Sequence, residues 1–409
     1  MYIGRKILLR KERENEIVML HKSSGCYCVV NRVAAEIAYY IDKESSKREI
    51  LEKLKARYNI GNDYANFLIS ETARQMHELV FWNDKEGYGK RTHAPLRAGW
   101  RLTGKCNLRC RHCYLSCSPD SVVRDLSHNE SMRVAEQICD TEIMDIVLTG
   151  GELFVRHDAR NIIEYIAKKG IRLSIFTNAT LVDETYAWMK DIPLHCVNVS
   201  LDGREKEHDA LRGNGVFQKT WAGIERLREW GIRITVNCVI SKLNMNSIDE
   251  IALFFKQEEL EHQFTLITPT GNALLNKAIV PSIADFKKVV RRLKAIEQDL
   301  EHGNGEHNEL DVMAKVEKTR FNGESINAWK CNAGNTKIDI DVNGDVYLCP
   351  FDSSTKIGNI LRDDLKALWV STPIRKEFLD RMITNVERTC FPIKEIYDSY
   401  YSKDCGICD

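Results

Sequence analysis

Apolar residues along this chain switch between a period of two and a helical period, and the switches mark its organisation. In the first 88 residues, EIVMLHK and GCYCVVN alternate like two short strands, with Gly25 at a turn between them. Stretches 33–42, 47–58 and 62–79 then carry apolar residues at helical spacing, for example Ile50, Leu51, Leu54 and Tyr58. This predicts a small module (1–88) of a strand pair and three helices, winged-helix-like in outline. The stretch 83–94, NDKEGYGKRTHA, is charged, glycine-containing and poor in apolar residues, which suits a linker. Further on, candidate strands at 100–102, 146–148, 173–177, 197–201, 234–240 and 264–267 alternate with helical stretches such as 131–139, 159–168, 220–230 and 247–256. Such alternation predicts a parallel sheet with helices on its face. The fold class is α/β: a partial (β/α)6 TIM-like barrel over 96–280, reactive where its strands end. A long charged helix at 282–301 opens a connecting region, 281–330. In the remaining unit, 331–409, IDIDVNGDVYL reads as a β-hairpin turning at Asn343–Gly344.

Composition narrows the function classes. Lys+Arg and Asp+Glu balance at 59 each, so a general electrostatic binder of nucleic acid is disfavoured. No apolar run reaches membrane-spanning length, and MYIGRKILLRKERENE has no signal-peptide core. The expectation is a cytoplasmic protein with no membrane partner. In that compartment 14 cysteines read as reduced thiols and metal ligands.

The first chemical constellation is CNLRCRHCY. Cys106, Cys110 and Cys113 follow the first barrel strand, and three thiolates on a four-iron cluster leave one iron open. A zinc site is the plainer alternative. The second is LTGGELF at the end of the next strand, where Gly150 and Gly151 allow close backbone approach and Glu152 can accept from an ammonium. The third, IFTNAT, places Thr177 and Asn178 at another strand end, able to hydrogen-bond a ligand. The fourth, VSLDG followed by HDALRGNGVF, offers Ser200, Asp202 and Arg212, whose guanidinium can fork onto a carboxylate. His208 and Asp209 are read as shaping that loop. The fifth is a tail set: Cys331 and Cys349 flank the predicted hairpin, Cys405 and Cys408 form CGIC at the end, and Cys390 is a spare. Cys117 is read as structural, and Cys139, Cys196 and Cys238 as small hydrophobes in apolar runs.

Taken together, CNLRCRHCY, GGE, TNA and SLDG…HD…RG…GVF resemble the radical S-adenosylmethionine (SAM) superfamily. The resemblance implies a 4Fe–4S cluster on Cys106, Cys110 and Cys113. It also implies SAM contacts from Tyr114, Gly150, Gly151, Glu152, Thr177, Asn178, Ser200, Asp202 and Arg212. Two positions depart from the family pattern: Leu153 stands where Pro is common, and Ala179 where T-N-G has glycine, which puts a left-handed turn there in doubt. The tail resembles the auxiliary-cluster domains called SPASM and, in shorter form, twitch. One auxiliary iron–sulfur cluster is implied, with Cys331, Cys349, Cys405 and Cys408 as first choice and Cys390 as substitute. The N-terminal module resembles PqqD-like leader-peptide recognition elements, which implies that residues 1–88 bind the leader of a ribosomal precursor peptide. The expected function is peptide maturation through a 5′-deoxyadenosyl radical, forming an intramolecular thioether of the sactipeptide or ranthipeptide kind. An external electron donor such as flavodoxin or ferredoxin goes with that chemistry. The alternatives are carbon–carbon or carbon–oxygen crosslinking, epimerisation, and a non-enzymatic iron–sulfur scaffold that binds peptides.

Overall fold

The computed structural model describes residues 1–13, 16–22, 27–78, 92–301 and 333–384. The chain begins with an antiparallel sheet in the order β1 (Tyr2–Ile3), β2 (Ile7–Arg13), β3 (Glu16–His21), β4 (Tyr27–Val30). Helices α1 (Arg32–Asp42), α2 (Lys47–Tyr58) and α3 (Asn62–Glu78) follow. The sequence reading missed β1 and β2. The reason is that β2 is covered on both faces, so ILLRKER shows no clean alternation. Ile7 and Leu9 pack with Ala35 and Ala38 of α1, while Leu8 packs with Val18, Leu20, Leu96 and Met144 on the other side. Gly25 and Cys26 lie outside the described residues.

Six parallel strands make the barrel: β5 (Arg97–Arg101), β6 (Asp145–Thr149), β7 (Arg172–Thr177), β8 (Cys196–Ser200), β9 (Ile234–Ile240) and β10 (Glu261–Leu266). Their helices are α4 (His128–Asp140), α5 (Ala159–Lys168), α6 (Glu205–Arg212), α7 (Val216–Glu229), α8 (Ile248–Gln257), the short α9 (Asn272–Leu275) and α10 (Ile283–Glu301). Helix α4 starts on a capping box in which Ser127 and Glu130 satisfy each other's backbone N–H groups. Outward residues of the strands, such as Ile146, Leu148, Leu173, Ile175, Val197 and Val199, form one core with Ile162, Ile166 and Leu227 of the helices.

The C-terminal hairpin extends the same sheet. Strand β11 (Lys337–Ile340) pairs parallel with β5, then β12 (Asp345–Tyr347) and β13 (Lys356–Asn359) follow antiparallel, giving nine strands in the order β10-β9-β8-β7-β6-β5-β11-β12-β13. Its turn is longer than a two-residue Asn-Gly turn. Asp341 N–H donates to Asp345 O at 2.8 Å, and Gly344 (φ 83°) is left-handed while Asn343 is not, which fits a three-residue loop closed by a glycine bulge. Helices α11 (Leu365–Ser371) and α12 (Pro373–Thr384) end the described chain.

The N-terminal sheet sits against the opposite end of the barrel from the cysteine loop. Leu96 and Met144, which it covers, immediately precede β5 and β6. Arg172, the first residue of β7, donates to Lys22 O at 2.8 Å. The stretch read as a linker is part of this seam at its C-terminal end. The fully buried Arg10 donates to Ala94 O (2.9 Å), Pro95 O (2.8 Å) and Glu142 O (3.0 Å), and pairs with the buried Glu12 at 2.6 Å. Residues 83–91 lie outside the described residues. Among the described residues no helix is long and apolar enough to cross a membrane.

Candidate functional site

The loop after β5 carries Cys106 and Cys110, both buried, and Cys113, half-buried. Burial pushes the Cys106 thiol up to about 12 and the Cys110 thiol up to about 11. Their thiolates therefore form only against a compensating cation, as metal ligands do. A hydrogen bond from Cys117 draws the Cys113 thiol down. Among the described residues no three His, Cys, Asp or Glu side chains converge on one ion. An iron–sulfur cluster needs no such convergence, since each thiolate takes a separate iron. Donors already face the sulfurs: Leu108 N–H lies 3.4 Å from Cys106 Sγ, Asn178 Nδ2 3.9 Å from the same atom, and Arg212 Nη1 4.0 Å from Cys110 Sγ. The donor set and its surroundings fit a cluster, and are less suited to a zinc site that converges ligands on one atom.

The glycine turn after β6 lies directly on this loop. A Cβ at Gly151 would meet Lys105 O at 2.2 Å and a Cβ at Gly150 would meet Thr103 O at 3.0 Å, so neither residue can be larger without moving backbone. Gly151 N–H donates to Thr103 O (2.8 Å) and Glu152 N–H to Lys105 O (2.9 Å). Glu152 is buried. Its oxygens accept from Phe154 N–H (3.2 Å), Thr177 Oγ1–H (2.9 Å) and Asn178 N–H (2.7 Å). Burial pushes its carboxyl up to about 7, against these hydrogen bonds, which lower it. Four lone-pair directions and three donors leave room for one more donor, as an ammonium would supply.

Thr177 ends β7, Asn178 follows it, and both are buried. In this arrangement they organise the protein: Thr177 serves Glu152, and Asn178 Nδ2 donates to Asn107 Oδ1 at 2.9 Å, inside the cysteine loop. The turn that follows is left-handed despite its alanine. Ala179 has φ 58° and is fully buried. Gly223 of α7 makes the space, because a Cβ there would come within 2.2 Å of Ala179 O.

Ser200 closes β8, half-buried and opposite Asn237 of β9. Asp202, expected to touch ligand, is fully buried and committed to protein groups: Oδ2 accepts from Arg212 Nε (2.7 Å) and Oδ1 from Val239 N–H (2.9 Å). Burial would raise its carboxyl, but the Arg212, His112 and His208 side chains together bring it down to about 2. Asp202 thus aims Arg212 at the cluster loop. His208 Nδ1 accepts from Asp202 N–H at 3.1 Å, and Asp209 accepts from Gly215 N–H (2.6 Å) and Phe217 N–H (2.7 Å), so both residues build the loop.

Tyr114 is exposed and its ring lies 5.4 Å from that of Phe351, two residues past the buried Cys349. The barrel's cysteine loop thereby touches the segment after the C-terminal hairpin. Cys331, Cys390, Cys405 and Cys408 lie outside the described residues. Cys238 is a core residue, but Cys196 faces the inner side of the barrel, with Ser174 Oγ at 3.4 Å and Asn198 Nδ2 at 3.5 Å. Strand parity places it there, which an apolar run alone does not reveal.

Several supporting residues escaped the sequence reading. Asn272 donates to Cys110 O (3.0 Å) and Asn276 to Arg111 O (3.2 Å), so α9 holds the cysteine loop from its far side. Gly271 (φ 55°) permits the approach, since a Cβ there would sit 2.6 Å from Cys113 O. His112, inside the cysteine loop, lies 3.7 Å from Asp202. The glycine in TGNALLN was the one available signal.

Residues 100–255 match the family model of the Radical SAM superfamily, and residues 331–406 match that of the iron–sulfur cluster-binding domain called SPASM. The chain is 26% identical to the antilisterial bacteriocin subtilosin biosynthesis protein AlbA of Bacillus subtilis, over 93% of this chain and 84% of that one. It is 26% identical to the mycofactocin maturase MftC of Mycolicibacterium smegmatis, over 75% and 78% of the two chains. In fold it is similar to Streptococcus suis SuiB bound to S-adenosylmethionine, with a TM-score of 0.67 over 92% of this chain and 90% of that one, at 18% identity.

Proposed function

From a chain that carries a radical SAM domain and an iron–sulfur SPASM domain, we propose a maturase that crosslinks a ribosomally made peptide. The radical SAM domain binds SAM and a 4Fe–4S cluster, and the SPASM domain binds an auxiliary cluster. When bound, the first pair supplies a 5′-deoxyadenosyl radical that removes a hydrogen atom from a substrate carbon. The chain's own residues then have these roles. Cys106, Cys110 and Cys113 hold the cluster, and Glu152 offers its remaining lone pair to the amino group of SAM. Arg212, held by Asp202, presents a cation beside Cys110 where a carboxylate can dock, Ser200 and Tyr114 add further contacts to SAM, and Thr177 and Asn178 act by holding Glu152 and Asn107 in place. Cys331, Cys349, Cys405 and Cys408, with Cys390 as substitute, hold the auxiliary cluster. The barrel wall excludes water from the radical.

The observation that carries a peptide substrate is likeness over nearly the whole chain to a protein named for subtilosin biosynthesis; in this reading the N-terminal unit of a four-stranded sheet and three helices is the leader-binding module. Both faces of that sheet are covered, so an incoming leader can add only at an edge, and β4 is the longer edge strand among the described residues. The radical site is at the far end of strands five to seven residues long, about 20 Å away. A precursor held at β4 needs at least about six extended residues to reach it. The bond formed is a thioether in this reading, and a flavodoxin or ferredoxin delivers the electron.

The test is mass spectrometry of candidate precursor peptides, taken from short reading frames neighbouring the gene, after incubation with enzyme, SAM and dithionite. A product about 2 Da lighter, with one thiol no longer alkylatable, is expected. Unchanged mass with deuterium uptake means epimerisation, and absence of 5′-deoxyadenosine from iron-loaded protein rules out the radical reading. Alanine at all three of Cys106, Cys110 and Cys113 should remove about four irons and leave the auxiliary iron.

A further inference from the structure

The concave face of the sheet holds a carboxylate that no role above uses. Ala98, Trp100, Ile338 and Ile340 point into the core shared with the helices. Strand parity therefore turns Gly99, Arg101, Asp339 and Asp341 to the inner side. Asp339 stands directly opposite Gly99 in the parallel register of β11 with β5. A Cβ at Gly99 would lie 2.4 Å from Asp339 Oδ1, so the glycine leaves the room in which this carboxylate rests. Lys337 Nζ binds Oδ1 at 3.0 Å. Oδ2 is buried and has no hydrogen-bond partner among the described residues. An unmet carboxylate oxygen is costly to bury, and such groups recur where a substrate completes the bonding. Tyr114, next to Cys113, lies within electrostatic reach of both Asp339 and Arg101, so this carboxylate shares the barrel interior with the end of the cysteine loop. Burial raises its proton affinity while Lys337 opposes that rise, a balance suited to accepting a proton.

We propose that Asp339 is the proton acceptor of the crosslinking step; this rests on the crosslinking reading above. Joining a substrate carbon to a second substrate atom X removes two hydrogens. The carbon loses a hydrogen atom to the 5′-deoxyadenosyl radical. The X–H bond gives its proton to Asp339 Oδ2 as the C–X bond forms, and one electron passes to the auxiliary iron–sulfur cluster. The balance is the same for sulfur, oxygen or carbon as X.

The experiment compares wild-type enzyme with Asp339→Asn, using the same candidate precursor peptides, SAM and dithionite, and reads crosslinked product per 5′-deoxyadenosine released. General-base removal should lower this ratio by about a hundredfold. Iron content and melting temperature report whether the variant is folded. Gly99→Ala keeps every ionisable group and displaces the carboxylate. It should lower the ratio by about tenfold, and serves where Asp339→Asn does not fold. A wild-type ratio in either folded variant overturns the assignment of Asp339. Wild-type enzyme that releases 5′-deoxyadenosine but forms no crosslink overturns the crosslinking reading instead.

Discussion

His208 shows what burial does to a single side chain here. It is fully buried, accepts from Asp202 N–H, and is brought down to about 3 by burial first and then by the Arg212 charge. A histidine whose folded value lies below the unfolded one binds fewer protons when folded, so its stabilisation is complete above about pH 6.5 and is lost as pH falls. Between pH 6.5 and 5 the loss should be about 2 kcal/mol from this residue. Urea unfolding across that range checks it, and His208→Gln should flatten the slope. The sequence had marked His208 as a loop residue through its place in HDALRG. What it could not show was that Asp202, a cofactor contact by resemblance, commits both oxygens to Arg212 and Val239. A carboxylate's partners are set by what folds over it.

At the scale of elements, the cysteine loop is held from three sides by strand-end turns and by α9. Each hold depends on close backbone approach. The turn at Ala179 is the clearest case. Reading alanine in place of glycine cast doubt on a left-handed turn, yet the turn is present, because Gly223 on α7 yields the space that Ala179 needs. The requirement for a small residue moved from one element to another, which no local pattern records. Gly223→Ala should cost about 1–3 kcal/mol through overpacking against a backbone carbonyl. Because Asn178 precedes that turn and holds Asn107, the variant should also retain less cluster iron after gel filtration than wild type. Melting temperature and iron content measure the two effects.

Across the whole molecule, one buried ion pair fixes how the N-terminal module meets the barrel. Arg10 and Glu12 are fully buried at that seam, and Arg10 also ties down the carbonyls of Ala94, Pro95 and Glu142. Arg10→Met leaves the Glu12 carboxylate to His93 alone (N–H at 2.9 Å, Nδ1 at 2.7 Å) and frees three carbonyls, so it should cost about 3 kcal/mol. Limited proteolysis should then cut near Thr92–Leu96 at a protease concentration that leaves wild type whole. Sequence alone determined the barrel strands, the three cysteines at a strand end, and the motifs after each following strand. Those are local: period, glycine and cysteine spacing are written within a few residues. Only the tertiary structure decided that the C-terminal hairpin continues the barrel sheet, that the N-terminal sheet lies at the end away from the cysteines, and that Asp339 faces Gly99. Each of these joins residues tens to hundreds of positions apart through sheet pairing and burial, and such pairings depend on shape and register across the folded chain, which no stretch of sequence contains by itself.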